Sequence, residues 1–143
     1  MNYSYEYPRP AVSADIAVFR NQGKDLQILL IFRKNDPYKG MWALPGGFME
    51  MDETLEQTAA RELEEETGLK DINLKQFRTF SQLDRDPRTR VITTVFFGFT
   101  SMENSAAVGG DDAAEAKWFP LDALPALAFD HHDIIRMIRK EII

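Results

Sequence analysis

Residues 47–69, GFMEMDETLEQTAARELEEETGL, decide how the rest of the chain is read. Glu62, Glu64, Glu65 and Glu66 fall within five positions, immediately before Thr67-Gly68. Pro45-Gly46-Gly47 breaks a preceding strand, Asp52 is the expected N-cap, and Gly68 suits the left-handed residue that closes a helix. At about 100° per residue, Leu55, Ala59 and Leu63 form an apolar stripe that must face a core. Glu62 and Glu66 lie on or beside that stripe and Glu65 at its margin. Glu53, Gln57 and Glu64 point away from it.

An acidic run is ordinarily a solvated helix face, and that explanation fits poorly here. Like charges three and four apart repel, and anions in a last turn oppose the helix dipole, each effect costing roughly 0.3–1 kcal/mol. Arg61 and Lys70 are the basic residues near enough in sequence to offset them. Carboxylates converging at a core edge with too few basic partners are better explained by a bound cation. Oxygen-only ligands in a chain without cysteine favour Mg²⁺ or Mn²⁺ over zinc.

The same stretch resembles the signature of the Nudix hydrolases. It carries Gly47, five free residues, Glu53, seven free residues, Arg61-Glu62-Leu63, one free, Glu65-Glu66, one free, and Gly68-Leu69. All nine specified positions agree, so the match is specific. The resemblance implies an α/β/α sandwich and hydrolysis of a nucleoside diphosphate linked to another group, with divalent metals held by the helix. Carried over position by position, it implies Glu62, Glu65 and Glu66 as metal ligands and the Gly47 carbonyl as a further one. Arg61 and Glu53 become the ion pair that orients them. The signature covers about a sixth of the chain, and a weaker resemblance extends from Ala11 to the C-terminus.

A length of 143 residues suits one domain, expected over residues 11–143 behind an N-terminal arm of residues 1–10. Apolar content of 44% and charged content of 28% are ordinary for a soluble protein. A net charge of −6 argues against a non-specific nucleic-acid binder, which normally carries a basic stripe. It also requires metal ions or local basic residues wherever an acidic substrate is to sit. The chain has no cysteine, which excludes disulfides and thiolate metal sites and fits a reducing cytoplasm. The start, MNYSYEYPRP, lacks the basic and apolar regions of a signal peptide, and no stretch approaches a membrane span. The tyrosine-rich arm is either a frayed end or a segment that packs on a second subunit of a homodimer.

Outward from the signature, residues 11–19 suit a strand followed by a turn at Asn21-Gln22-Gly23. Residues 26–32 are nearly all apolar and read as a strand buried on both faces. A polar loop at 33–40 and Met41-Trp42-Ala43-Leu44 lead into the signature. Residues 73–83 and 91–99 read as strands separated by the charged turn DRDPRTR, and 116–119 as a short strand stopped by Pro120. Residues 131–143 read as a closing amphipathic helix with Ile134, Ile135, Ile138 and Ile142 inward. Strands buried on both faces require layers above and below, so an α/β fold with a mixed sheet between helices follows.

Outside the signature, Arg33, Arg85, Arg88 and Arg90 are the candidate phosphate or ribose contacts, because guanidinium pairs with phosphate in a bidentate fork. Asp111, Asp112 and Glu115 are candidates for a general base on a loop before the last strand, where the resemblance places one. His131 and His132 are not spaced as a metal cluster, and a histidine near a helix start is ordinarily a cap or core residue. Phe129-Asp130-His131 nevertheless precedes the last helix, where Nudix proteins build a base pocket, and FDH after WFPLDALP resembles the ADP-ribose pyrophosphatase branch. Trp42 and Phe129 are candidates to stack on adenine, with core packing as the alternative.

Three readings follow in order. The first is Mg²⁺-dependent hydrolysis of ADP-ribose, or a close relative, to AMP and ribose 5-phosphate. The second is a nucleoside triphosphate pyrophosphohydrolase that cleanses the nucleotide pool. The third is a module that binds ADP-ribose without cutting it. Modules of the third kind usually adjoin a DNA-binding domain, which these residues do not contain. The complete set of signature carboxylates favours activity, on a small-molecule nucleotide and with neither nucleic acid nor membrane as partner.

Overall fold

The computed structural model describes residues 2–105 and 115–143. Its elements run in the order β1 (Ala11–Gln22), β2 (Asp25–Phe32), β3 (Trp42–Ala43), β4 (Gly46–Phe48), α1 (Leu55–Thr67), β5 (Lys75–Phe80), β6 (Val91–Phe99), β7 (Ala116–Pro120) and α2 (His131–Glu141). The strands form one sheet in the order β3-β2-β1-β6-β5, with β4 added to β1 and β7 to β2. β1 and β6 are parallel, in register from Ala11↔Val91 to Phe19↔Phe99. The other named pairs are antiparallel, so the sheet is mixed, as expected.

Alternation along β1 separates two cores. Ala14, Ile16 and Val18 point to one face, where they meet Leu29, Phe96 and the Ala59 and Leu63 stripe of α1. Ala17 and Phe19 point to the other, where Ile28, Leu30 and Val95 meet Ile134, Ile135 and Ile138 of α2. Both faces being covered explains why residues 26–32 read as a continuous apolar run. Each fully buried Leu or Ile in these layers contributes about 1.5–3 kcal/mol. The result is the α/β/α sandwich.

Several local expectations are corrected. The N-cap of α1 is Thr54, not Asp52. The Thr54 hydroxyl accepts from the Gln57 N–H at 3.2 Å, and the Gln57 side chain accepts from the Thr54 N–H at 2.8 Å. That reciprocal pair satisfies two N-terminal donors at once, which Asp52 is two residues too early to do. Gly68 closes the helix in the left-handed region at φ 79°, as expected. Gly46 and Gly47 do not break a strand. They form β4, pairing Asp15↔Gly46 and Ala14↔Gly47. β1 continues to Gln22, and its turn falls on Gly23-Lys24. Ile142 lies past the end of α2 and is 40% exposed. Residues 2–10 are exposed and form no helix or strand, with Tyr3 stacked on Tyr5 and Arg9 over the Tyr5 ring at 4.0 Å. Among the described residues no helix is long and apolar enough to cross a membrane.

Candidate active site

β4 lies between the acidic face of α1 and a cleft in the sheet layer. Its glycines make this possible. A Cβ on Gly47 would run into the Glu62 carboxylate, and one on Gly46 into Asp15 Oδ1 and the Ala14 carbonyl. The Gly46 N–H donates to Glu66 Oε1 at 2.7 Å. Glu66 is 7% exposed, so two of the signature carboxylates are pressed against glycine backbone.

Arg61 organises the rest of that face. It donates to both oxygens of Glu53, at 2.6 and 3.0 Å, to Glu62 Oε1 at 2.7 Å and to the Phe48 carbonyl at 3.0 Å. Glu65, a turn farther on, receives a longer 3.2 Å bond and is largely exposed. Glu53 also accepts from the Glu50 N–H and the Thr58 hydroxyl, both at 2.9 Å. Hydrogen bonding to Arg61 is the main cause that lowers the Glu53 pKa from an ordinary 4.5 to about 2. The same bond raises the pKa of Arg61. The expected Glu53–Arg61 pair is therefore formed, and it ties the start of α1 and the end of β4 together.

These donors suit a hard divalent cation, being oxygens alone, with buried Glu66 and the Glu62 carboxylate side by side along β4. Among the described residues no three His, Asp or Glu side chains already converge as a ligand cage. The Glu65 carboxylate is drawn toward Arg61, and its exposure leaves it room to turn.

On the other side of β4, the cleft has a buried polar floor. Arg85, its side chain 3% exposed, forms a bidentate pair with Asp130 at 2.7 and 2.9 Å. Asp130 occupies the N-cap position of α2 but makes no capping bond, its carboxylate being committed to Arg85. Asp15 accepts from the Thr93 hydroxyl at 2.6 Å through Oδ2, which lies 4.0 Å from Arg85. His131 Nδ1 accepts from the Leu44 N–H at 3.0 Å, so the neutral ring carries its proton on Nε2. Burial lowers the His131 pKa and keeps the ring neutral.

An aromatic and basic rim stands above that floor. Phe129 holds φ 53° and Tyr38 φ 61°, a left-handed backbone that costs a bulky residue about 1–3 kcal/mol. Their rings meet at 4.8 Å. The Arg33 and Arg88 guanidinium carbons lie 5.0 and 5.6 Å from the Phe129 ring centre, and Arg88 is 5.1 Å from that of Phe48. Burial, then the charge of Arg88, lowers the Arg33 pKa. Arg88 is fastened by Asp86 at 2.8 and 3.1 Å, which raises its pKa.

Of the candidate contacts, Arg33, Arg85, Arg88, Phe129 and His131 line this cleft, while Asp130 stands behind it and holds Arg85. Trp42 does not line it. Its ring packs edge-on against Phe32 and Phe119 at 5.3 and 4.7 Å, which is the core alternative. Arg90 closes its own turn on the Ser81 and Gln82 carbonyls. Glu115 is exposed just before β7, where its carbonyl accepts from the Phe32 N–H at 2.9 Å. Asp111 and Asp112 lie outside the described residues. Asp15, Thr93, Asp86 and Phe48 belong to the site and escape the sequence reading. Asp15 had a signal, as a lone carboxylate inside the apolar run of β1.

Comparison with known proteins agrees with this geometry. Over 130 residues the chain is 47% identical to the ADP-ribose pyrophosphatase of Methanocaldococcus jannaschii, covering 91% of this chain and 73% of that protein. It is 38% identical over 135 residues to the ADPR responsive transcriptional repressor NtrR of Acinetobacter baylyi, covering 92% of this chain and 54% of the repressor. The chain thus spans about half of that relative. Among solved structures, the NUDIX domain of Shewanella oneidensis NrtR complexed with ADP ribose superposes with a TM-score of 0.89 at 31% identity, covering 99% of this chain and 95% of that one. The NUDIX domain profile matches residues 9–140, and the chain therefore belongs to the NUDIX domain family.

Proposed function

We propose that this chain hydrolyses the diphosphate bond of ADP-ribose, giving AMP and ribose 5-phosphate, with Mg²⁺ or Mn²⁺ as cofactor. The observation that carries the proposal is the position of β4, with the carboxylate face of α1 on one side and the arginine-lined cleft on the other. The 47% identity to the Methanocaldococcus jannaschii ADP-ribose pyrophosphatase supports the choice of substrate. Glu62, Glu65, Glu66 and the Gly47 carbonyl would hold the metal. Bound there, a divalent cation lowers the pKa of a water and neutralises charge developing on the diphosphate. Glu53 and Arg61 orient this face, and Arg33 and Arg88 offer forked donors to phosphate oxygens at the cleft rim. The lack of cysteine favours the cytoplasm as the place of reaction.

A carboxylate committed to metal is a poor proton acceptor, so the base is assigned to Asp112, with Glu115 helping to hold metal or loop. Asp112→Asn is expected to lower kcat about tenfold or more with little change in Mg²⁺ affinity. Glu115→Gln is expected to change both. Near-normal turnover in Asp112→Asn places the base elsewhere.

The deciding experiment is a hydrolysis panel of ADP-ribose, NADH, diadenosine polyphosphates and oxidised dGTP with Mg²⁺. ADP-ribose is expected to give the highest kcat/KM, and excess EDTA to abolish turnover. Preference for oxidised dGTP overturns the substrate, and full turnover in EDTA overturns the metal. A second reading, binding of ADP-ribose without hydrolysis, is favoured by the 38% identity to a repressor described as ADPR responsive. Tight binding of ADP-ribose with no turnover in the same panel would establish it.

A further inference from the structure

The cleft floor contains two polar atoms that the proposed hydrolysis does not use. His131 Nε2 and Asp15 Oδ1 are 3.8 Å apart, beyond hydrogen-bonding distance. The His131 side chain is 3% exposed and that of Asp15 12% exposed. The other end of each group is committed, Nδ1 to the Leu44 N–H and Oδ2 to the Thr93 hydroxyl. Among the described residues no sealed side-chain nitrogen or oxygen goes without a partner. Nε2 and Oδ1, which have none within hydrogen-bonding distance, therefore open onto the cleft that both residues line.

A donor and an acceptor 3.8 Å apart can both be reached by one atom at about 2.8 Å from each, provided that atom donates and accepts. A hydroxyl does both. An exocyclic amine of a base only donates, and a phosphate oxygen only accepts. Charge points the same way. Asp130 already takes up the charge of Arg85, so the Asp15 carboxylate disfavours a phosphate oxygen set directly against it and leaves phosphate to Arg33 and Arg88 at the rim. Asp15 pairs with Gly46, whose N–H is bonded to Glu66, so the floor adjoins the carboxylate face of α1. The group attached directly to a diphosphate held there is a sugar.

Building on the proposed ADP-ribose hydrolysis, we propose that Asp15 and His131 form a hydroxyl-reading pair. A sugar hydroxyl donates to Asp15 Oδ1 and accepts from His131 Nε2–H. The pair selects a substrate whose diphosphate ends in a sugar and disfavours one that carries a further phosphate in its place.

The test is calorimetric binding of ribose 5-phosphate, AMP and inorganic phosphate to the wild-type chain and to Asp15→Ala, with Mg²⁺ present. Thr93 keeps a 3.3 Å bond to the Ser13 carbonyl in that variant, which limits the disturbance. Asp15→Ala is expected to lose at least tenfold of the preference for ribose 5-phosphate over inorganic phosphate. A loss for AMP alone would put the nucleoside sugar on the pair and overturn the selection against a further phosphate. An unchanged preference for both overturns the pair. Should Asp15→Ala fail to fold, Thr93→Val removes the bond that fixes Asp15, and the same preference must fall in it. Because binding is read without turnover, failure here is distinct from failure to hydrolyse ADP-ribose.

Discussion

Arg61 and Arg85 each sit among carboxylates, on opposite sides of β4, with side chains 27% and 3% exposed. Arg61 is shared by Glu53, Glu62 and Glu65, so its face of α1 carries more negative charge than one guanidinium can balance. Water reaches that face, and the last turn of α1 adds no basic residue. Arg85 is closed on Asp130 by two parallel bonds and is shielded by the cleft floor. The open cluster is thus one that a cation would complete under the proposed function, and the closed one has its charges already paired. On the proposed function, chemistry belongs to the first and recognition to the second.

Removing each arginine is the strongest way to test that contrast. Arg85→Ala strands a largely buried Asp130, and breaking a buried pair from one side costs about 3–5 kcal/mol. Arg61→Ala removes a guanidinium that is 27% exposed rather than 3%, and is expected to cost less stability than Arg85→Ala while strongly lowering kcat. Denaturant midpoints for both variants, set beside their turnover, measure the difference. Equal stability losses would break the comparison.

Gly47→Ala tests the contact between β4 and α1. The added methyl meets the Glu62 carboxylate, so a loss of about 1–3 kcal/mol is expected, together with weaker Mg²⁺ binding. Wild-type Mg²⁺ affinity in Gly47→Ala would mean that Glu62 is not held there for metal.

The smallest effect is in pH. The folded pKa of Glu53 is depressed from 4.5 to about 2, so its ion pair stabilises the fold above pH 4.5. That contribution is lost as pH falls from there through the folded value. The stability difference between wild type and Glu53→Gln should therefore shrink on acidification through this window. A difference that does not change with pH would remove the Arg61 bond as the cause.

The two clusters also differ in how far the sequence discloses them. Glu62, Glu65 and Glu66 lie within little more than one helical turn, so spacing gathers them at the edge of the apolar stripe, whereas the pairing of Glu53 with Arg61 comes from the resemblance. The cleft floor gathers Asp15 from β1, Arg85 from a turn, Thr93 from β6 and Asp130-His131 from the start of α2. No local period links those positions. The layers were legible because both faces of β2 are covered and its apolar run is nearly continuous. Trp42 was ambiguous, since an aromatic beside a core strand looks the same in sequence whether it packs or stacks on a ligand. Gly46 and Gly47 read as a break, because glycine in a strand is ordinarily weakening. Here it admits the Asp15 and Glu62 carboxylates to the backbone.

The division between chemistry and recognition is tested most directly in Glu66→Gln, which removes one buried charge from the α1 face and leaves the cleft intact. Binding of ADP-ribose by calorimetry and its hydrolysis with Mg²⁺ are measured on the same preparation. Turnover is expected to fall by orders of magnitude while affinity for ADP-ribose stays within a few-fold of wild type. Wild-type turnover in Glu66→Gln, or loss of binding in step with turnover, would contradict it.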